Sequence, residues 1–342
     1  MIRKFLEIDL QAIKAQTHAS LSAMRGILRY YETDQDTSLL KAVEKRYALY
    51  KKEAMTENFE NYNWFGRPEW TEPCAVIDSY ILTMWLWKLT GNPVYLEDAH
   101  KIYYNGMCFE QRANGGFGCD NCTGADGCML YAKVDEAHWC CTMRGGEGLS
   151  RVAQFQAFKS PEAIWFTQYE NGVYSFAYDK DTLSFKENNM YPYAGKVYLE
   201  VQNNSLPFTP AIKLFAPSWI SDPVISVNGN IIKFGLANNF ISFTSDLKEG
   251  DFIEYTFKIR TQKTMPGNAN SIKGYNKYMY GPLLMGYIGK EPLEVSGDIV
   301  FEPITKELFR IKDTKLLFNP VCHLMNPNVK MKDFTMQVMF NE

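Results

Sequence analysis

The chain has 342 residues, 46% of them hydrophobic, with 36 basic against 39 acidic side chains, which is enough for two or three packed domains. That composition excludes disorder and collagen-like repetition, and a net charge of -3 leaves no broad basic surface for a phosphate backbone. No window approaches the roughly 18 uninterrupted apolar residues of a membrane helix, so neither nucleic acid nor a bilayer is an expected partner.

The start, Met1-Ile2-Arg3-Lys4-Phe5-Leu6-Glu7, lacks the apolar core and cleavage site of a secretory signal. The chain as given therefore reads as cytoplasmic, and as periplasmic only if a leader was lost. From Thr17 to about Phe158 apolar residues recur at helical spacing, first through Leu21, Met24, Ile27, Leu28 and Tyr31. A second helix is predicted from the N-cap Asp36 through Leu39, Val43, Tyr47 and Tyr50. A third carries Val76, Ile77, Tyr80, Ile81 and Met84 and ends at Gly91-Asn92-Pro93, and a fourth starts at that proline. The last is expected after Gly145-Gly146, through Leu149, Val152 and Phe155.

After Ser160-Pro161 the period changes to two, in Ala163–Thr167, Val173–Phe176, Lys196–Val201, Ile212–Phe215, Ile225–Val227 with its Asn228-Gly229 turn, Phe252–Phe257 and Leu283–Tyr287. The expected class is multidomain alpha plus beta: a helical domain over 1–160, a β-sandwich over 161–265, and further strands over 266–342. Pro303, Pro320 and Pro327 break up that last stretch, as a partial second sandwich or an extension of the first.

Seven of the eight cysteines lie within 68 residues, Cys74 to Cys141, and Cys322 stands apart. Such clustering favours metal or catalysis over a disulfide framework, which belongs mainly to small secreted domains. Glu72-Pro73-Cys74 opens a helix, and the vicinal pair Cys140-Cys141 follows His138 by two residues. Thiolates with one carboxylate suit zinc, whereas calcium and magnesium want oxygen alone. The competing reading makes these cysteines small buried hydrophobes. Cys119-x2-Cys122 with Cys128 lies in a Gly- and Asp-rich loop and is open to three readings: a structural metal, a disulfide or plain thiols.

The stretches Met55-Thr56-Glu57-Asn58-Phe59, Glu72-Pro73-Cys74-Ala75, Tyr104-Asn105-Gly106 and His138-Trp139-Cys140-Cys141 together resemble glycoside hydrolase family 127, the zinc-dependent beta-L-arabinofuranosidases. The resemblance implies zinc on Glu72, Cys74, Cys140 and Cys141, with Cys140 as nucleophile. It implies Glu57 as general acid/base with Glu60 as fallback, and His138 and His18 in the sugar site. Trp64, Phe65 and Trp70 would then line an apolar wall against the sugar, while His100 and His323 read as surface or capping residues. A metal-bound thiol is already a thiolate and can attack an anomeric carbon. Glu57, kept protonated by its pocket, would donate to the leaving oxygen, and two displacements would retain configuration.

The resemblance also implies an (alpha/alpha)6 toroid followed by β-sandwich domains, but about 158 residues supply only five or six helices of ordinary length. A partial toroid is therefore expected. Such a chain would leave apolar helix faces for self-association as a homo-oligomer or for a partner chain. The loop Gly115–Cys128 stands where the family has a tyrosine-bearing strand, which leaves sugar and linkage open. The leading function is a retaining exo-glycosidase that removes terminal furanosyl residues from plant glycans. Its rivals are an inactive remnant that binds carbohydrate or serves as a structural protein, and a redox or metal-handling protein.

Overall fold

Helix α1 (Ile2–Glu7) precedes α2 (Thr17–Asp34) and α3 (Thr37–Glu53). The α3 N-cap is Asp36, as expected, with its carboxylate accepting from the Ser38 amide at 2.9 Å. The computed structural model describes residues 2–323 and 335–341. Helix α4 (Pro73–Thr90) has Pro73 in its first turn and ends on Gly91 at φ +68°, whose N–H donates to the Trp87 carbonyl. Apolar nearly all round, α4 is buried along its length and packs against α2 and α5 (Val94–Lys101). Asp98 on α5 ties that helix to α3 by accepting from Lys51 at 2.7 Å and from Tyr47 at 3.0 Å.

Beyond α5 the chain runs through a π-helical segment, Ile102–Met107, into the short α6 (Cys108–Glu110). Asn105 in this segment donates to the Pro282 carbonyl and accepts from the Leu284 amide, and so pins a strand turn of the last sheet. A Cβ on Gly106 would stand 2.6 Å from the Phe59 carbonyl oxygen, so only glycine lets the 55–59 segment lie this close. The Tyr104-Asn105-Gly106 motif is thus a packing element.

The last helix, α7 (Cys140–Gln154), begins at the vicinal cysteines, earlier than expected. Gly145 and Gly146 lie inside it. A side chain at 145 would run into the Phe117 ring, 2.0 Å from the Cβ position, so the glycine reflects close packing of a helix that is already formed.

The chain divides into two compact units, one of residues 1–150 with 261–342 and the other of residues 151–260. In the first, the described strands form a two-stranded pair (Met129–Tyr131 with Thr335–Gln337) and a seven-stranded antiparallel sheet drawn from Thr261 onward. Pro303 and Pro320 each end one of its strands; Pro327 lies outside the described residues. In the second unit a five-stranded and a six-stranded sheet share ring contacts, with Phe166 5.7 Å from Phe185 and 6.1 Å from Phe176. Asn228 and Gly229, both at positive φ, make the expected hairpin turn. The protein is mixed helix and sheet, and among the described residues no helix is long and apolar enough to cross a membrane.

Candidate metal and catalytic centre

Two helix starts create the centre. Glu72 occupies the N-cap position of α4 with Cys74 in its first turn, while Cys140 and Cys141 open α7. The Sγ atoms of Cys74, Cys140 and Cys141 all lie within 4.8 Å of one another, with Cys74 and Cys141 4.0 Å apart. A tetrahedral zinc with Zn–S bonds of about 2.3 Å sets its sulfurs roughly 3.8 Å apart, so the spacing and the donor chemistry both fit zinc. Glu72 stands outside that three-sulfur group. Burial raises its pKa to about 7, the nearby Cys141 charge adds to the rise, and His18 opposes it.

The sulfurs are not equivalent. Cys141 is buried and receives thiol hydrogen bonds from Cys119, Cys74 and Cys140, which draw its pKa down to about 3. It is the thiolate of the group, in the first turn of α7 where the helix dipole favours negative charge. Cys74 is pushed up, first by its hydrogen bond to Cys141 and then by burial. Cys140 is exposed and also raised, by desolvation and by the Cys141 and Glu72 charges against its hydrogen bond with Cys74. A cation at the centre would be needed to make this outward sulfur a thiolate at neutral pH.

For Cys119, Cys122 and Cys128 the sequence left three readings open, a structural metal, a disulfide or plain thiols. Cys119 packs with Cys74, Cys141 and Ala137 and hydrogen-bonds Cys141. Cys122 is buried with its amide held by Asp126, and neither it nor Cys119 is in a disulfide.

Several expected roles meet a different environment. Glu57 is buried and fully engaged: Lys277 Nζ lies 2.5 Å from Oε2, and Ser271 Oγ and the Asn268 and Gly267 amides donate to the same carboxylate. Desolvation pushes its pKa up, but the Lys277 charge and these hydrogen bonds outweigh it and the net shift is downward. The protonated Glu57 expected of a general acid is thus corrected to an ionised, clamped carboxylate. Glu60 is completely buried beside Glu110 and Asp120.

His138 is turned to solvent, 78% exposed, with Nδ1 3.5 Å from Glu136. His18 Nδ1 lies 2.7 Å from Asp78, which raises its pKa, and it is near enough to Glu72 to feel that charge. His100 is buried against Tyr104 and is no surface residue; the side chain of His323 lies outside the described residues. Trp64 and Trp70 meet edge to face at 5.0 Å, Trp70 also packs on the sulfur cluster, and Arg67 lies over Trp64 at 4.5 Å. Phe65 is fully buried.

Two residues were missed. Asp78, one turn beyond Cys74 on α4, is completely buried and accepts from Ser22, Arg25 and Arg144 as well as pairing with His18, so it ties α2 and α7 to the helix that carries Cys74. The signal was a lone acid inside Pro73-Cys74-Ala75-Val76-Ile77-Asp78-Ser79-Tyr80-Ile81. Trp139, 59% exposed beside Cys140, offers an apolar face next to the outward sulfur.

No family profile and no curated protein matches the chain by sequence. Solved structures do match. A protein titled glycoside hydrolase superposes with TM-score 0.78 at 14% identity over 95% of this chain and 66% of its own. A GH127 beta-arabinofuranosidase gives TM-score 0.73 at 15% identity over 95% of this chain and 60% of its own. A GH127 beta-L-arabinofuranosidase from Geobacillus stearothermophilus T6 gives 0.74 at 15% identity over 96% and 60%. The chain therefore has a GH127-like fold, shared with glycoside hydrolases, and it spans 60 to 66% of the length of these structures.

Proposed function

We propose that the protein is a retaining glycoside hydrolase that removes terminal furanosyl residues, of the beta-L-arabinofuranosyl kind, from plant glycans. The observation that carries this reading is the exposed Cys140 sulfur at the edge of an otherwise buried thiol group on a GH127-like fold. We further infer that residues 1–160 are the later part of an (alpha/alpha)6 toroid and that the two ring-linked sheets are a β-sandwich, in line with the 60 to 66% coverage.

Zinc held by Cys74, Cys140 and Cys141, with Glu72 at its side, would keep the sulfurs ionised at neutral pH. Cys140 Sγ attacks the anomeric carbon, its C–S bond forming as the C–O bond to the aglycone breaks, and a protonated group supplies the leaving oxygen with its proton. Water then displaces the sulfur from the opposite side and gives its proton to the group that protonated the aglycone, so two inversions retain configuration. Trp139 and Trp64 would give the sugar apolar faces, and His18, fixed by Asp78, a polar contact. Glu57 takes part as a proton donor only if Lys277 releases it, so in this reading it holds the 55–59 segment to the 267–277 segment.

The test is hydrolysis of p-nitrophenyl beta-L-arabinofuranoside by zinc-loaded protein, with the product's anomer followed by NMR. Turnover with retention, abolished in Cys140→Ser, supports the reading. Glycan binding without turnover in zinc-loaded protein would favour the non-catalytic remnant.

A further inference from the structure

A second group of side chains, independent of the thiol centre, gathers in the interior. Glu60, Glu110 and Asp120 are each 0% exposed, and one carboxylate oxygen from each lies within 4.8 Å of the other two. Three carboxylates removed from water would repel one another by far more than the fold can offset unless positive charge or protons accompany them. The nearby cation is Arg112, and it is largely occupied elsewhere. Its guanidinium donates to the carbonyls of Phe109, Cys119, Val134 and Asp135 and reaches a single carboxylate oxygen, Asp120 Oδ1, at 2.7 Å. Asn58 donates to Glu60 Oε1 at 2.5 Å. Glu60 Oε2, Asp120 Oδ2 and both oxygens of Glu110 have no hydrogen-bond partner. The group therefore presents four unpartnered, fully buried carboxylate oxygens and, when all three are ionised, two negative charges beyond what Arg112 balances.

We propose that these oxygens bind a divalent, oxygen-preferring cation of calcium's size, at a site separate from the zinc centre. The two sites divide the metals by softness: sulfur takes zinc, and an all-oxygen group takes the hard ion. Coordination chemistry favours calcium, which takes carboxylate oxygens at about 2.3 to 2.6 Å in flexible geometry, whereas magnesium demands a near-ideal octahedron and gives up its waters reluctantly, which a dry interior group of three carboxylates does not suit. One divalent ion also cancels the two charges that Arg112 leaves. The ligands come from the 55–63 loop, the end of α6 and the 115–128 loop, so the bound ion would fasten the loop that carries Cys119 to the helical core.

The experiment is elemental analysis and thermal unfolding of protein refolded with zinc and either calcium or magnesium, comparing wild type, Glu110→Gln and Cys140→Ser/Cys141→Ser. The expected result is one calcium per chain in wild type, a higher Tm with calcium than with magnesium, loss of calcium and of the Tm response in Glu110→Gln, and full calcium content in the double cysteine variant whatever becomes of its zinc. Wild type without calcium and without a Tm response, beside a Glu110→Gln protein as stable as wild type or more so, would overturn the proposal in favour of carboxyls neutralised by protons. Retention of calcium by Glu110→Gln would overturn the assignment to these residues. Because the cysteine variant keeps this site intact, failure here and failure of the zinc reading give different results.

Discussion

The Glu57 carboxylate and the Lys277 ammonium meet at 2.5 Å across 220 residues of sequence, both buried. The pair lies within the unit formed by residues 1–150 and 261–342 and fastens the last third of the chain to the turn before α4. Breaking one partner of a buried pair leaves an uncompensated charge and costs about 3 to 5 kcal/mol. Glu57→Gln is therefore expected to lower stability by that order in urea unfolding, and Glu57→Gln/Lys277→Met to recover part of the loss. A Glu57→Gln protein as stable as wild type but inactive would restore its role as acid.

The seating of α7 makes a second prediction. Gly145→Ala drives a methyl group into the Phe117 ring and is expected to cost roughly 1 to 3 kcal/mol, whereas Gly146→Ala meets nothing within 4 Å and gains up to about 1 kcal/mol from helix propensity. Because α7 sets out Cys140 and Cys141, Gly145→Ala should also weaken zinc binding, measured by competition with a chromophoric chelator, while Gly146→Ala should not.

The His18–Asp78 pair predicts a pH dependence. The folded pKa of His18 is raised above 6.5, chiefly by its hydrogen bond to Asp78, so its contribution to stability is full below pH 6.5 and is lost as the pH rises through the folded value. Asp78 is pushed up by burial but is lowered on balance below 3.8 by His18, Ser22 and the two arginines. Its contribution holds above pH 3.8 and is lost as the pH falls through the folded value. Chemical denaturation at a series of pH values should show the stability gap between wild type and His18→Gln shrinking toward alkaline pH. A gap constant with pH would contradict the pairing.

Cys119 carries a fourth prediction. Its hydrogen bond helps to hold Cys141 as the thiolate, so in metal-free protein Cys119→Ala, which removes the donor that serine would keep, should slow alkylation at Cys140 and Cys141 less than zinc does, yet change its pH profile. A pH profile identical to that of wild type would separate Cys119 from the thiol group.

The helices were readable because local signals agree: the Asp36 cap, the Gly91 stop and the apolar spacing each mark one element. The meeting of Cys74 with Cys140 and Cys141 was legible only through the family resemblance, because the start of α7 at the vicinal cysteines was not expected. What was hidden depends on distant chain segments. The Cys119-x2-Cys122 spacing suggests a joint site, but the loop turns between the two, and Cys119 faces α4 and α7 while Cys122 does not. Glu57 looked like a free acid because Lys277 is far away in sequence. The glycines before Leu149 looked like a linker because Phe117, which requires Gly145, comes from another loop.

The most direct test of the central claim is zinc per chain, by elemental analysis of protein purified without chelator, beside Cys140→Ser/Cys141→Ser. The account predicts one zinc in wild type and its loss in the double variant. Folded wild type without zinc, or a double variant that keeps it, would contradict the metal centre and the nucleophile built on it.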